Sequence, residues 1–239
     1  MKSFETIYAR AAERKGGEEA LKSFLPLEGA HGNLATVTDD RVLAQMTQRI
    51  FSAGFVWSVI EAKWPGFEEA FLGFDPPSLL GQFDEFWEKL CSDKRIVRNP
   101  QKIMAVRHNA GFIADLTREH GSAGRFLADW PANDQLGLQK LLADRGSRLG
   151  GHTGNYFLRF IGRDSFIPSK DVVAALRDAG LDVAESPTSK KDLAKIQDQF
   201  NAWRDETGLS LVHLSRICAM SVGDNYSPEI LRERAGRDE

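Results

Sequence analysis

The sequence predicts an all-α fold on three observations. Apolar residues recur at spacings of 3 and 4 along most of the chain, capping side chains stand directly before two prolines, and no β-alternation or hairpin dipeptide between alternating hydrophobics occurs. Together these suggest roughly nine to eleven helices. Val42, Met46, Ile50, Ala53, Trp57 and Ile60 read as one helical face, with Thr38 as N-cap and Asp39 and Asp40 in the first turn, where carboxylates favour the helix dipole. Asp75-Pro76 and Asn99-Pro100 each put a capping side chain ahead of a proline whose fixed φ suits the first helical position. After Asn99 the stripe runs Ile103, Val106, Ala110, Ile113, and Gly121 marks its end. Residues 135–144 and 153–161 read as two more helices, the second stopped at Gly162, and Ser169 caps another that ends at Gly180. Ser189 and Asp192 make a capping-box-like start to a stripe of Leu193, Ile196, Phe200 and Trp203 closed by Gly208. Ser210 then caps a last helix through Met220. The absence of a fixed-period repeat argues against a solenoid.

Gly29 to Thr38 and Glu185 to Ser189 read as linkers. They divide the chain into an N-terminal helical extension (1–38), a main domain (39–185) and a C-terminal helical pair packed on it (186–239). At 239 residues and 42% hydrophobic content there is enough apolar material for one large domain with extensions. Cys91 and Cys218 lie far apart without a C-x-x-C pairing, which argues against a disulfide scaffold or cysteine-rich zinc site and fits two buried thiols in a reducing compartment. The stretch from Lys2 to Lys22 is charged throughout, unlike a signal peptide, and no run approaches the roughly 18 apolar residues of a membrane span. A soluble, cytoplasmic protein with no membrane partner is expected.

The net charge of -3 conceals an uneven distribution. Residues 1–93 carry 9 basic and 15 acidic side chains, residues 94–163 carry 12 and 5, and residues 164–239 carry 10 and 14. The central block includes Lys94, Arg95, Arg98, Lys102, Arg107, Arg145, Arg148, Arg159 and Arg163. Such a block suits neutralisation of backbone phosphates, and equally suits solvated helix faces. Within it, Arg145-Gly146-Ser147-Arg148-Leu149-Gly150-Gly151-His152-Thr153-Gly154-Asn155-Tyr156 closes one helix pattern and opens the next. Glycines at such a turn let backbone N–H groups approach a phosphate, and the helix N-terminus adds a favourable dipole. Glycine also ends helices for purely structural reasons.

Ala53-Gly54-Phe55-Val56-Trp57, the stretch through Phe74-Asp75-Pro76, the run from Arg95 to Ile103, Asn109-Ala110 and the Arg145–Tyr156 turn resemble, in order and spacing, the DNA-3-methyladenine glycosylase I family. The resemblance covers about residues 39–175 and implies a helix-hairpin-helix DNA glycosylase-like domain with additional N- and C-terminal helices. It implies hydrolytic excision of an alkylated adenine flipped out of double-stranded DNA in base excision repair, by a monomer without cofactor. Arg148, Gly150, Gly151, His152, Thr153, Gly154, Arg98 and Lys102 become candidates for holding the DNA backbone. Trp57 becomes the platform on which the flipped base stacks, although a tryptophan on an apolar stripe also suits the core. Gln48, Arg49, Phe51, Tyr8 and Tyr156 are further pocket candidates. His152 stands where bifunctional relatives carry a nucleophilic lysine, so no Schiff base with the sugar is expected and the enzyme would be monofunctional.

Three departures accompany the resemblance. The family's glutamate ahead of the Ala-Gly-x-x-Trp motif has no counterpart in Thr47-Gln48-Arg49-Ile50-Phe51-Ser52; Gln48 offers a neutral acceptor there, and Arg49 would repel a cationic base. The family's structural zinc lacks its cysteine and histidine set, with Asp171 where a histidine would fall, so no metal is expected, and the extra C-terminal helices would clasp the chain ends instead. Lys170 aligns with the family's usual acid and Asp171 follows it. Both are catalytic candidates, while an acid in a first helical turn also simply favours the dipole. A lesion-sensing DNA-binding protein of the same fold is the alternative reading.

Overall fold

The computed structural model describes residues 3–27 and 32–225. Part of the first linker and the tail 226–239 of the C-terminal segment lie outside the described residues. The chain forms, in order, α1 (Phe4–Lys15), α2 (Glu18–Lys22), α3 (Asp39–Ser52), α4 (Trp57–Ala70), α5 (Pro76–Leu80), α6 (Asp84–Leu90), α7 (Pro100–His120), α8 (Ala123–Asp129), α9 (Gln135–Arg145), α10 (Gly151–Phe160), α11 (Lys170–Asp178), α12 (Lys190–Thr207) and α13 (Leu211–Ser221), with 3-10 turns at Leu34–Thr36 and Leu72–Phe74. No strand occurs among the described residues. Among the described residues, thirteen α-helices exceed the nine to eleven expected because α2 and α5, at five residues each, are too short to show a periodic stripe.

Thr38 stands at the N-cap of α3 without a side-chain capping bond, whereas other capping side chains act as read. Asp75 accepts from Ser78 N–H at 2.9 Å, Asn99 from Lys102 N–H at 3.1 Å, Ser189 from Asp192 N–H at 3.0 Å and Ser210 from His213 N–H at 3.2 Å. One reading is corrected. The stripe from Val42 to Ile60 is not one helix: α3 ends at Ser52, Gly54 takes a left-handed φ of 77°, and Trp57 opens α4. The apolar spacing merely stays in phase across the break.

The chain divides into two compact units. The central unit comprises His31–Pro131 and Gly137–Arg163; the terminal unit comprises Met1–Ala30, Ala132–Leu136 and Asp164–Glu239. Residues 164–185, grouped with the main domain in the sequence reading, thus associate with the terminal helices. In the central unit α3 packs on α7 and α10, and Val42, Met46, Ile50, Ile103, Val106, Ala110 and Ile113 are at most 1% exposed. Asp39 stitches this unit, accepting from Thr117 Oγ1 on α7 and from Ala123 N–H at the head of α8.

In the terminal unit α1 packs on α13, which also meets α11 and α12. The expected packing face of α12 forms there. Phe200 stacks on Phe166 at 4.6 Å, and Trp203 meets both Phe200 and Phe4. Buried Gln135 exchanges two hydrogen bonds with the Phe166 backbone, and Asp164 caps α13 through the Leu211 and Val212 amides. Cys218 is fully buried here, and burial pushes its thiol up to about 12, whereas Cys91 in the central unit is only half-buried. Since the thiolate is the reactive species, a thiol reagent near pH 8 should titrate Cys91 in the native protein and Cys218 only after denaturation. Rapid native reaction of both would contradict this burial.

Candidate nucleic-acid interface and base site

The α9–α10 hairpin is built from buried anchors and one open end. Leu149 plugs the turn at 1% exposure, and Asn109 on α7 clamps Ser147 in both directions, accepting from its N–H at 2.7 Å and donating to its carbonyl at 3.1 Å. Arg148 holds a left-handed φ of 60°, and Gly151 one of 56°. Gly150 stands at the N-cap of α10 with no side chain capping it, so the first-turn N–H groups face outward beside exposed Gly151 and His152, with Thr153 half-buried. That is the geometry that receives a phosphate. Gly154, expected among the DNA contacts, is instead buried. A Cβ there would lie 2.2 Å from the Leu149 carbonyl oxygen, so the residue serves close packing of turn on helix.

Most of the basic block is committed within the fold. Arg145 forms a two-pronged pair with Glu119 at 2.9 Å for each bond, holding that carboxyl below its ordinary range. Arg107 pairs with Asp84 and Arg95 with Asp93, both at 2.7 Å. Arg163 donates to the Leu127, Ala128, Trp130 and Pro131 carbonyls, and Arg159 is buried. Lys94, Arg98 and Arg148 remain exposed, Arg148 bonded to Gln101. Lys102, read as a backbone contact, is corrected: it is 6% exposed and donates to the Phe51 and Ala53 carbonyls at 3.2 and 2.7 Å. Burial, with Arg148 nearby, lowers its pKa. It braces the α3–α4 turn, its ammonium 4.8 Å from the exposed Phe55 ring.

That turn delivers Trp57. The indole is half-buried and ringed by α10: Tyr156 meets it edge-on at 5.6 Å and 86°, and Phe160 at 5.5 Å and 64°. Phe160 escaped the sequence reading, although it stands one helical turn after Tyr156 on the same face. Arg49 does not merely line the site. Its guanidinium carbon lies 4.0 Å from the Phe160 centroid and 4.8 Å from that of Trp57, with the residue 6% exposed. Gln48 is half-buried on α3. Phe51 is corrected to core: it is 0% exposed and packs edge-on against Phe67.

The other candidates belong to the terminal unit. Tyr8 is half-buried against that unit's core. Lys170 is exposed, and Asp171 is half-buried in the first turn of α11. The Asp171 carboxylate lies so close to Gly223 that a Cβ there would come within 2.7 Å of Oδ1. The zinc implied by the resemblance does not fit the residues present: among the described residues no three His, Cys, Asp or Glu side chains gather as a metal would require. No helix among the described residues is long and apolar enough to cross a membrane.

An all-helical architecture carrying a helix–turn–helix hairpin beside an aromatic site defines a helix-hairpin-helix DNA-glycosylase type of fold. Over 90% of this chain and 95% of the other, the fold is shared with a Methanocaldococcus jannaschii 8-oxoguanine glycosylase/lyase solved with DNA, at a TM-score of 0.50 and 12% identity. Residues 32–142 match the methyladenine glycosylase family model. The match takes in Arg49, Trp57 and Asn109 and ends ahead of the hairpin turn. Similar structures include a 3-methyladenine DNA glycosylase I variant with bound 3-methyladenine, at 22% identity over 50% of this chain and 75% of that one, TM-score 0.46. A Staphylococcus aureus 3-methyladenine DNA glycosylase I variant shows 23% identity over 51% and 75%, TM-score 0.45.

Proposed function

We propose that this chain is a monofunctional DNA glycosylase that holds duplex DNA by its hairpin and hydrolytically releases a damaged base stacked at Trp57. The observation that carries this reading is the double use of α10. Its uncapped N-terminus is open to a phosphate, and about 8 Å further along the same helix supplies Tyr156 and then Phe160 around Trp57. Backbone grip and base site are thereby set on one rigid element. Extruding a base costs a few kcal/mol, and an aromatic platform returns part of that by stacking.

The family resemblance offers an alkylated adenine as substrate, a cationic base that is already a good leaving group, so positioning and electrostatics would carry most of the rate enhancement. His152 in place of an amine leaves no Schiff-base nucleophile at that position. The second reading, a lesion-sensing DNA-binding protein, is favoured by Arg49, whose cation already occupies the aromatic faces.

Incubation with methylated duplex DNA and chromatography of the released bases tests both. Release that falls about 5- to 150-fold in Trp57→Ala, the equivalent of the roughly 1–3 kcal/mol typical of one stacked base, supports the enzyme. Tight binding without release supports the sensor. Affinity for DNA should fall as salt rises; indifference to salt would remove the phosphate grip altogether.

A further inference from the structure

We infer that Arg49 determines specificity at the Trp57 site and that this site takes an uncharged purine presenting a keto oxygen beside an unprotonated ring nitrogen, the edge of a deaminated adenine, rather than a cationic alkylpurine. The inference rests on the base-holding reading above and names its substrate class.

Arg49 belongs to α3 and reaches the two rings that α4 and α10 contribute, its guanidinium 4.8 Å from the Trp57 centroid and 4.0 Å from that of Phe160. An electron-rich ring face attracts a cationic base by its quadrupole. Here that attraction is already directed to a resident cation, and a second positive charge brought against Trp57 meets Coulomb repulsion in a place shielded from water. The family's acid could accept hydrogen bonds from a protonated or amino-bearing base edge. A guanidinium has only donors, fixed in a planar fork. The base edge that matches such a fork is a pair of neighbouring acceptors, as where arginine grips a purine keto oxygen and its adjacent ring nitrogen. Hypoxanthine offers that pair without charge, and its weakened pairing lowers the cost of extrusion. Adenine offers an amino donor there, and 7-methylguanine a fixed positive charge and a blocked nitrogen.

The test uses the full chain and duplexes identical but for one position, holding hypoxanthine, 7-methylguanine or adenine, with affinity read by fluorescence anisotropy and base release by chromatography. Wild type should bind the hypoxanthine duplex about tenfold or more tightly than either other. Arg49→Glu should reverse the order of hypoxanthine and 7-methylguanine. Arg49→Gln, which removes the charge without introducing its opposite, should abolish the discrimination and covers the case in which Arg49→Glu fails to fold. Wild-type preference for the cationic lesion, equal binding of all three, or an unchanged ranking in Arg49→Gln would overturn the inference. Ranking and release separate the two claims. Hypoxanthine preference without any release leaves this inference standing and removes the glycosylase reading, whereas release confined to 7-methylguanine keeps the glycosylase and removes the inference.

Discussion

Gly154→Ala should displace the hairpin and cost about 3 kcal/mol, the upper part of the usual range for forcing an atom into a filled core. The added methyl would stand 2.2 Å from the Leu149 carbonyl oxygen and 3.3 Å from its carbon. Both are backbone, so no rotamer change relieves the contact. The plug cannot retreat freely either, because Leu149 is itself buried at 1% exposure. The remaining response is for α10 to move away from the turn, carrying its open N-terminus, Tyr156 and Phe160 together. For a chain of this size the expected fall in Tm is about 6–12 °C, with a loss of DNA affinity and a shallower salt dependence. A melting curve and a salt titration of duplex binding check this. A variant with unchanged Tm and affinity would mean that the turn is far softer than its buried contacts indicate.

Lys102→Met should weaken the base site while leaving the helices formed. Methionine nearly fills the space but leaves the Phe51 and Ala53 carbonyls without their donor, at about 1–3 kcal/mol for the buried Phe51 acceptor, offset in part by removing a desolvated charge. The Ala53–Val56 turn then loses its brace, and Trp57 immediately follows it. Base release should therefore drop at least tenfold, about 1.4 kcal/mol, with α-helical circular dichroism retained. There is also a pH signature. A lysine whose pKa is lowered on folding binds its proton less tightly in the folded chain, so its contribution to stability rises as pH climbs through the folded pKa and is complete above the ordinary value of 10.5. The variant should lack that alkaline gain in urea-melt stability; an identical pH profile in the two proteins would contradict the burial of the ammonium.

What the sequence revealed and what it concealed have physical causes. Cap residues act on amides two or three positions away, so Asp75, Asn99, Ser189 and Ser210 were readable locally. Helical phase is local too, but it is blind to a break that preserves it. The step from Ile50 to Trp57 spans two turns of helix in number, yet Gly54 at φ 77° reverses the chain between them. The same blindness kept Phe51 among the pocket candidates, since spacing cannot say toward which neighbour a side chain turns.

Charge counting failed at Lys102 and Arg163 for a related reason. Their acceptors are main-chain carbonyls, which no composition records. The turn between α9 and α10 was legible through its glycines and motif order. The stacking of Arg49 on Phe160 was not, because the two residues lie more than 100 positions apart on helices whose pairing only the fold determines.

The threading of the terminal unit governs when it can exist at all. Its first helix packs on its last, and Gln135 with Asp164 ties its middle pieces to segments that follow them. During synthesis the apolar face of α1, with Phe4, Ile7 and Ala11, therefore emerges first and has no native surface to cover it until α13 leaves the ribosome. The central unit, whose α3, α7 and α10 follow one another within the interior of the sequence, can close earlier. Order of completion thus runs inward-out, with α1 and α13 joined last across the longest loop.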